Sequence, residues 1–338
     1  MRLLVTGGAG FIGSHYVRSL LSGDYSGHAA TSVTVLDKLT YSGNRDNLAS
    51  VASHPRFRFV EGDICDPVLV DELLRGHDAV VHFAAESHVD RSIETAAPFV
   101  TTNLLGTQVL LDAAVKHRVS RFTHISTDEV YGSISTGAFT EESPLAPSSP
   151  YSASKAGSDL LALACHQTHG LDVVITRCCN NYGPYQFPEK VIPLFVTNLM
   201  DGAPVPLYGD GEHVREWLHV DDHCRAVQLV LEHGKAGQIY NIGSGVELAN
   251  RELTARLLEA CGADWSSVRQ VPDRKGHDRR YALDMTKLSE LGYAPQVRFD
   301  QGLADTVRWY QDNPSWWRPL QSPPPSPDRP PGPPPQRP

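Results

Sequence analysis

No apolar run in this chain approaches the roughly 18 residues needed to cross a bilayer, which argues against a helical membrane span. The opening residues lack a charged leader with a small-residue cleavage site and read directly as a strand, so a cytoplasmic protein is expected. A basic excess is also missing. With 30 Lys and Arg against 39 Asp and Glu, the formal net charge is −9. No broad face for nucleic acid is expected, and any phosphate must be held by a local pocket. Cysteines are few and scattered (Cys65, Cys165, Cys178, Cys179, Cys224 and Cys261), without metal-ligand spacing, and two of them are neighbours. That pattern fits reduced, mostly buried thiols and argues against a disulfide framework. No internal repeat is apparent.

What is present is a chain of 338 residues, 41% hydrophobic, enough for a large core in about two lobes. It opens on Leu3-Leu4-Val5-Thr6-Gly7-Gly8-Ala9-Gly10-Phe11-Ile12-Gly13, an apolar run entering glycines at G-x2-G-x2-G spacing. This reads as a strand, a tight turn and a helix N-terminus. Gly7 and Gly10 let the backbone approach a pyrophosphate favoured by the helix N-terminus, and Gly13 permits close helix–sheet packing. The next apolar run, Val33-Thr34-Val35-Leu36, ends in Asp37. An acid there can accept hydrogen bonds from an adenosine ribose and repels a 2′-phosphate, which favours NAD over NADP; capping a turn is its alternative use.

Further strand-like runs at 57–60, 78–84, 121–126 and 172–177 alternate with helix-like segments. The alternation predicts an α/β fold of Rossmann type, a doubly wound parallel sheet with helices on both faces. Ligands then lie at the carboxyl ends of the strands, where Asp63, Ala84, Ala85, Ser87 and Ser126 to Glu129 fall. After residue 178 the pattern loosens into Pro- and Gly-rich connections. The expected organisation is an NAD-binding domain over 1–178 with contributions from later segments, and a partly interleaved substrate lobe over 179–321. The proline-rich stretch 322–338 should be disordered, having no means of building a core. Trp316-Trp317 is expected to pack the last helix onto the body.

The chemistry is concentrated in Ser126-Thr127-Asp128-Glu129-Val130-Tyr131-Gly132 and Tyr151-Ser152-Ala153-Ser154-Lys155. A Tyr and a Lys four positions apart share one helix face. A phenol with a pKa of about 10 needs its ionised form favoured by roughly 4 kcal/mol to act as a base ~3 units lower, and a nearby ammonium in a dry site can supply that. Alcohol oxidation has no use for two further proton-transfer groups, whereas elimination of water uses both Asp128 and Glu129. The plainer reading of the acids is that they cap the next element.

Together with Ala84-Ala85-Glu86-Ser87-His88-Val89-Asp90-Arg91-Ser92, Cys179-Asn180-Asn181-Tyr182-Gly183-Pro184 and Arg274-Lys275-Gly276-His277-Asp278-Arg279-Arg280-Tyr281, these motifs resemble the nucleotide-sugar 4,6-dehydratases. Those form part of the sugar-nucleotide branch of the extended short-chain dehydrogenase/reductase family, and the likeness spans roughly residues 1 to 318. Lys275 stands where that family often has proline. The resemblance implies catalysis by Thr127, Asp128, Glu129, Tyr151 and Lys155. It implies NAD contacts from Gly7, Gly10, Phe11, Ile12, Gly13, Asp37, Lys38, Leu39, Thr40, Asp63, Ile64, Ala84, Ala85, Thr102, Tyr151, Lys155 and Asn181. Substrate contacts are assigned to Ser87, Thr127, Asn180, Glu189, Lys190, Pro206, Leu207, Tyr208, Arg215, Asn250, Arg274, Lys275, Gly276, His277 and Asp278. Arg215 and Arg274 suit a diphosphate, since a guanidinium offers forked donors. The implied substrate is dTDP-glucose, with UDP-glucose, 4-epimerisation or decarboxylation as the open alternatives, and a non-catalytic NAD-binding protein ranked below them. A homodimer is implied by related enzymes that pair helices matching the segments near 99–117 and 151–168. His219-x3-His223 flanks Asp221-Asp222, but a third ligand is not obvious and this chemistry needs no metal.

Overall fold

The computed structural model describes residues 1–25, 27 and 30–321. The stretch 322–338, expected to be disordered, lies outside the described residues. In chain order the strands are β1 (Arg2–Thr6), β2 (Ser32–Asp37), β3 (Phe57–Glu61), β4 (Ala79–His82), β5 (Arg121–Thr127), β6 (Val173–Cys178), β7 (Asn180–Tyr182), β8 (Val205–Tyr208), β9 (Val214–His219), β10 (Gln238–Ile242), β11 (Glu247–Ala249) and β12 (Val268–Val271).

Seven of them form one sheet in the order β10-β6-β5-β4-β1-β2-β3, with every neighbouring pair parallel. The reason is visible in the strands themselves. β4 and β6 are buried at every position and β1 at all but its first, as parallel strands covered on both faces must be. Because side chains alternate across a strand, consecutive apolar residues feed two separate cores. Leu3, Val5, Val33, Val35, Val81 and Ile125 enter one, and Leu4, Leu36, Val80, Phe122, Val173 and Ile175 enter the other. The strand order reverses beside β1, between β2 and β4, and this opens a crevice at the strands' carboxyl ends.

A smaller layer is built from a three-stranded sheet, β11-β9-β7, and a parallel pair, β12-β8. Its own core gathers Tyr182, Phe195, Trp217, Leu253, Tyr310 and Trp317. The chain crosses back between the layers: after β9, helix Val220–His233 buries Val220, Val227, Val230 and Leu231 against the large sheet, and β10 then pairs with β6. Trp317 is fully buried with its indole N–H donating to the Tyr310 carbonyl at 2.8 Å. Trp316 donates to Asn47 Oδ1 at 2.9 Å, so the pair does tie the last helices to the body. Among the described residues no helix is long and apolar enough to cross a membrane.

Candidate active site

The glycine loop is shaped by close approach. Gly7 has a φ of +68°, and a Cβ there would lie 2.5 Å from the Ala84 nitrogen on the neighbouring crossover, well inside contact distance. Helix Phe11–Ser22 follows with Gly10 as its N-cap, no side-chain cap and no acid in its first turn, which leaves an electropositive N-terminus for a phosphate. Gly13 serves a different neighbour from the one expected. Its Cβ would meet the Gly7 carbonyl oxygen at 2.4 Å, so it lets the helix sit on the loop itself and not merely on the sheet. Asp37, at the end of β2, accepts from the Ala9 N–H and the Leu39 N–H, both at 2.9 Å. It therefore fastens the glycine loop, the turn-capping use of this acid, while also lining the cleft.

One cleft is lined by Gly7, Gly10, Phe11, Ile12, Gly13, Asp37, Lys38, Thr40, Asp63, Ile64, Ala84, Ala85 and Thr102 on the dinucleotide side. The same cleft takes in Ser87, Thr127, Asp128, Glu129, Tyr151, Lys155, Asn180, Asn181, Glu189 and Lys190. Leu39 is not among the lining residues; its φ of +54° turns the chain beneath Asp37. Lys38 pairs with Asp63 at 2.6 Å across the ends of β2 and β3. Sequence reasoning missed Glu86, Cys178 and Gln186, which also line the cleft. Glu86 and Cys178 sit within or beside the quoted motifs, and their place at the ends of β4 and β6 was the available signal.

Thr127 ends β5, and Asp128 and Glu129 form the single turn that follows, capped by the Thr127 hydroxyl accepting from the Glu129 N–H at 3.2 Å. Helix Pro150–His169 starts with proline at its first position and a reciprocal Ser149–Ser152 capping box. That fixes Tyr151 in the first turn and Lys155 one turn on, both buried. The acids differ in setting. Asp128 is 2% exposed, its Oδ2 has no hydrogen-bond partner, and burial first, then Glu129 and Glu216, raise its pKa well above the usual carboxylate range. The shift favours its protonated form. Glu129 is also raised by burial, but Lys190, Arg274 and Arg215 oppose the shift, leaving a carboxylate that is both more basic than usual and ionisable.

Tyr151 departs from expectation. Burial, then Glu129 and Cys178, push its phenol well above its ordinary value, with the Thr127 hydroxyl opposing. Lys155 Nζ donates to the Ile125 carbonyl at 2.8 Å, and burial lowers its pKa to about 8. Burial and Glu129 thus act on the phenol in the direction opposite to that expected of the ammonium.

The remaining predicted contacts are distributed along the small lobe. Lys190 Nζ donates to the Ser87 carbonyl at 2.9 Å, and Glu189 takes two hydrogen bonds from Arg91 at 3.2 and 3.0 Å. Pro206, Leu207 and Tyr208 lie on β8, and Arg215 on β9 is buried with its guanidinium 4.4 Å from the Tyr281 ring centre. Asn250 begins helix Asn250–Cys261, its N–H donating to the His213 carbonyl. Arg274 reaches Asp90 at 3.4 Å, Lys275 is exposed, and Gly276 has a φ of +65°. Asp278 accepts from Ser148 at 2.5 Å and Tyr281 at 2.6 Å. His277 stacks on His213 at 3.7 Å, and Asp273 bonds its Nδ1 at 2.6 Å. None of the residues from Pro206 to Asp278 lines the cleft itself, yet Arg215, Arg274 and Asp278 all act electrostatically on Glu129.

This is a dinucleotide-binding oxidoreductase scaffold with an additional acid–base pair at the reacting end. The profile of the GDP-mannose 4,6 dehydratase family matches residues 4–306. The chain is 65% identical over 324 residues, 96% of either protein, to a dTDP-glucose 4,6-dehydratase of Streptomyces niveus. It is 64% identical over 319 residues to one from an Actinoplanes species, covering 94% of this chain and 100% of that one. The solved structure of DesIV, a dTDP-glucose 4,6-dehydratase of Streptomyces venezuelae with NAD bound, superposes with a TM-score of 0.94 at 67% identity, covering 95% of this chain and 100% of that one. The chain belongs to the dTDP-glucose 4,6-dehydratases of the extended short-chain dehydrogenase/reductase family.

Proposed function

We infer that the protein catalyses the NAD-dependent conversion of dTDP-glucose to dTDP-4-keto-6-deoxy-glucose. The observation that carries this reading is the pair of adjacent carboxyls, Asp128 and Glu129, on one turn and in the same cleft as Tyr151 and Lys155. The cleft fits NAD: Gly7, Gly10 and Gly13 line it beside a helix N-terminus with no side-chain cap and no acid in its first turn, and Asp37 stands at the end of β2.

When bound, NAD would supply the hydride acceptor for C4 and the hydride returned to C6. Tyr151 takes the proton of the 4-hydroxyl during oxidation, with the Thr127 hydroxyl and Lys155 holding its position. The new ketone acidifies C5–H, and Glu129 removes that proton. Asp128, which carries its own proton, gives it to the departing 6-hydroxyl as water leaves. After C6 is reduced, Glu129 returns its proton to C5. Division of labour between two acids follows from their surroundings, since Asp128 is sealed with one oxygen bonded by the Thr127 hydroxyl and the other without a partner, whereas Glu129 faces three cations. Arg215, Arg274 and Lys190 are assigned to the diphosphate.

Incubation with dTDP-glucose and with UDP-glucose in separate reactions tests the assignment. The dTDP sugar should yield a 4-keto product with loss of the C6 oxygen as water; 4-epimerisation without water loss would reject it. Turnover should also need no added NAD and leave no net NADH, because the hydride taken from C4 is returned to C6. Stoichiometric absorbance of reduced nicotinamide at the end of the reaction would contradict that closed cycle.

We further infer a cytoplasmic homodimer. Helix Pro150–His169 packs against the 97–116 helical segment, and together they expose Val100, Leu105 and Leu160 at 52%, 52% and 56%, apolar surface suited to a helix–helix interface. Light scattering at micromolar concentration should give twice the 37.0 kDa chain mass, and a monomer would refute it.

A further inference from the structure

Away from the reacting atoms, three segments meet at the rim of the cleft through a cluster that the mechanism above does not use. The loop after β2 folds back on the dinucleotide frame: the Asn44 N–H donates to the Ala9 carbonyl at 3.0 Å, and a Cβ on Gly43 would lie 2.8 Å from Asp37 Oδ1. Thr40, Ser42 and Gly43 of this loop line the cleft. Tyr41, between them, packs under Arg91 of the helical turn Val89–Glu94, whose guanidinium carbon lies 3.8 Å from the tyrosine ring centre. The same guanidinium donates twice to Glu189 Oε2, from Nε at 3.2 Å and from Nη2 at 3.0 Å. Tyr41 also meets Phe187 edge-on with ring centres 5.6 Å apart, and Phe187, Glu189 and Lys190 line the cleft from the segment after β7.

The arrangement has an inside and an outside. Arg91 leaves 47% of its side chain exposed and Glu189 17%, so the bridge has solvent on one side and cleft-lining residues on the other. Lys190 Nζ, donating to the Ser87 carbonyl at 2.9 Å, already ties the segment after β7 to the segment after β4, and Tyr41 brings the loop after β2 to both. Half-exposed ion pairs and cation–π contacts add little to global stability. Here, however, one guanidinium makes both contacts at once, and what it joins is the two rims of the cleft. A weak contact is enough to decide whether a loop stands open or closed, since local opening costs far less than unfolding.

We propose that Tyr41, Arg91 and Glu189 form a clasp that closes the loop after β2 over bound NAD and retains the cofactor between the two hydride transfers. The inference rests on the reading that one NAD both accepts and returns the hydride within a cycle. A cofactor that left after the first transfer would carry away the hydride due to C6, so this chemistry depends on slow release more than on tight equilibrium binding. An ordinary surface ion pair would steady the fold and leave NAD release unchanged.

The test is the release of radiolabelled NAD from the loaded protein, followed by gel filtration during a chase with excess unlabelled NAD, alongside Tm. Arg91→Met keeps an aliphatic stem over Tyr41 but removes the charge and both donors, and should release NAD about tenfold faster or more. Tyr41→Leu leaves the ion pair intact and should speed release in the same direction; lying on a surface loop, it keeps the proposal open to refutation if Arg91→Met fails to fold. Arg91→Lys, with a charge but no fork, should fall between Arg91→Met and the wild type. Turnover of dilute Arg91→Met on dTDP-glucose should decline with time and recover when NAD is added. Release at the wild-type rate in the folded variants, whatever their Tm, overturns the clasp. The chase contains no sugar nucleotide and so answers separately from the reaction: faster release in the variants of a protein that forms no 4-keto sugar upholds the clasp and refutes the proposed activity.

Discussion

Tyr151→Phe should slow hydride departure from C4 by about 100-fold or more and leave nucleotide-sugar binding nearly unchanged. The phenol is buried in the first turn of helix Pro150–His169 and lines the cleft together with Thr127, so loss of its oxygen removes the acceptor for the 4-hydroxyl proton without opening a large cavity. Every later step waits on the ketone, and neither C5 exchange nor water loss should escape the defect. Single-turnover absorbance of the reduced nicotinamide reads the step directly. Near-normal hydride transfer in this variant would show that another group accepts the proton, with Glu129 the nearest alternative by charge.

Glu129→Gln should fail later and in a different way. The amide keeps the shape of the side chain but cannot take the C5 proton, so enzyme mixed with dTDP-glucose should form bound NADH and the 4-keto sugar and then stall. Dehydration should drop by about 100-fold or more while the first hydride transfer persists. That first transfer is helped, if anything, because the Glu129 charge is the largest electrostatic influence holding the Tyr151 phenol protonated. Solvent deuterium should not enter C5. Asp128→Asn should also impair water loss, though less completely where a water can supply the leaving-group proton. Wild-type C5 exchange and dehydration in Glu129→Gln would falsify the division of roles within the acid pair.

The contrast between these variants reflects how differently the two halves of the site are encoded. The glycine loop, Asp37 and the Tyr151–Lys155 pair are local patterns: spacing along one turn or one helix is enough to place them, and they stand together in the cleft. Their energetics are less local. The Lys155 ammonium was expected to favour a phenolate, whereas burial and the proximity of Glu129 act on the phenol in the opposite direction. Gly13 matched its motif yet packs on the Gly7 carbonyl, a contact made by the loop folding back on itself.

By itself, then, the sequence determined the parallel α/β scaffold, the glycine loop at one end of the cleft and the candidates for proton transfer, since hydrophobic period and short-range spacing carry that information. Only the tertiary structure decided the surroundings of those groups. Lys190 reaches Ser87 across 103 residues, Arg215 and Arg274 come from separate elements of the small lobe to act on Glu129, and Asp159 meets His124 and Arg177 from two different strands. Burial and long-range charge set how far each acid is shifted, and neither can be read from neighbouring residues along the chain.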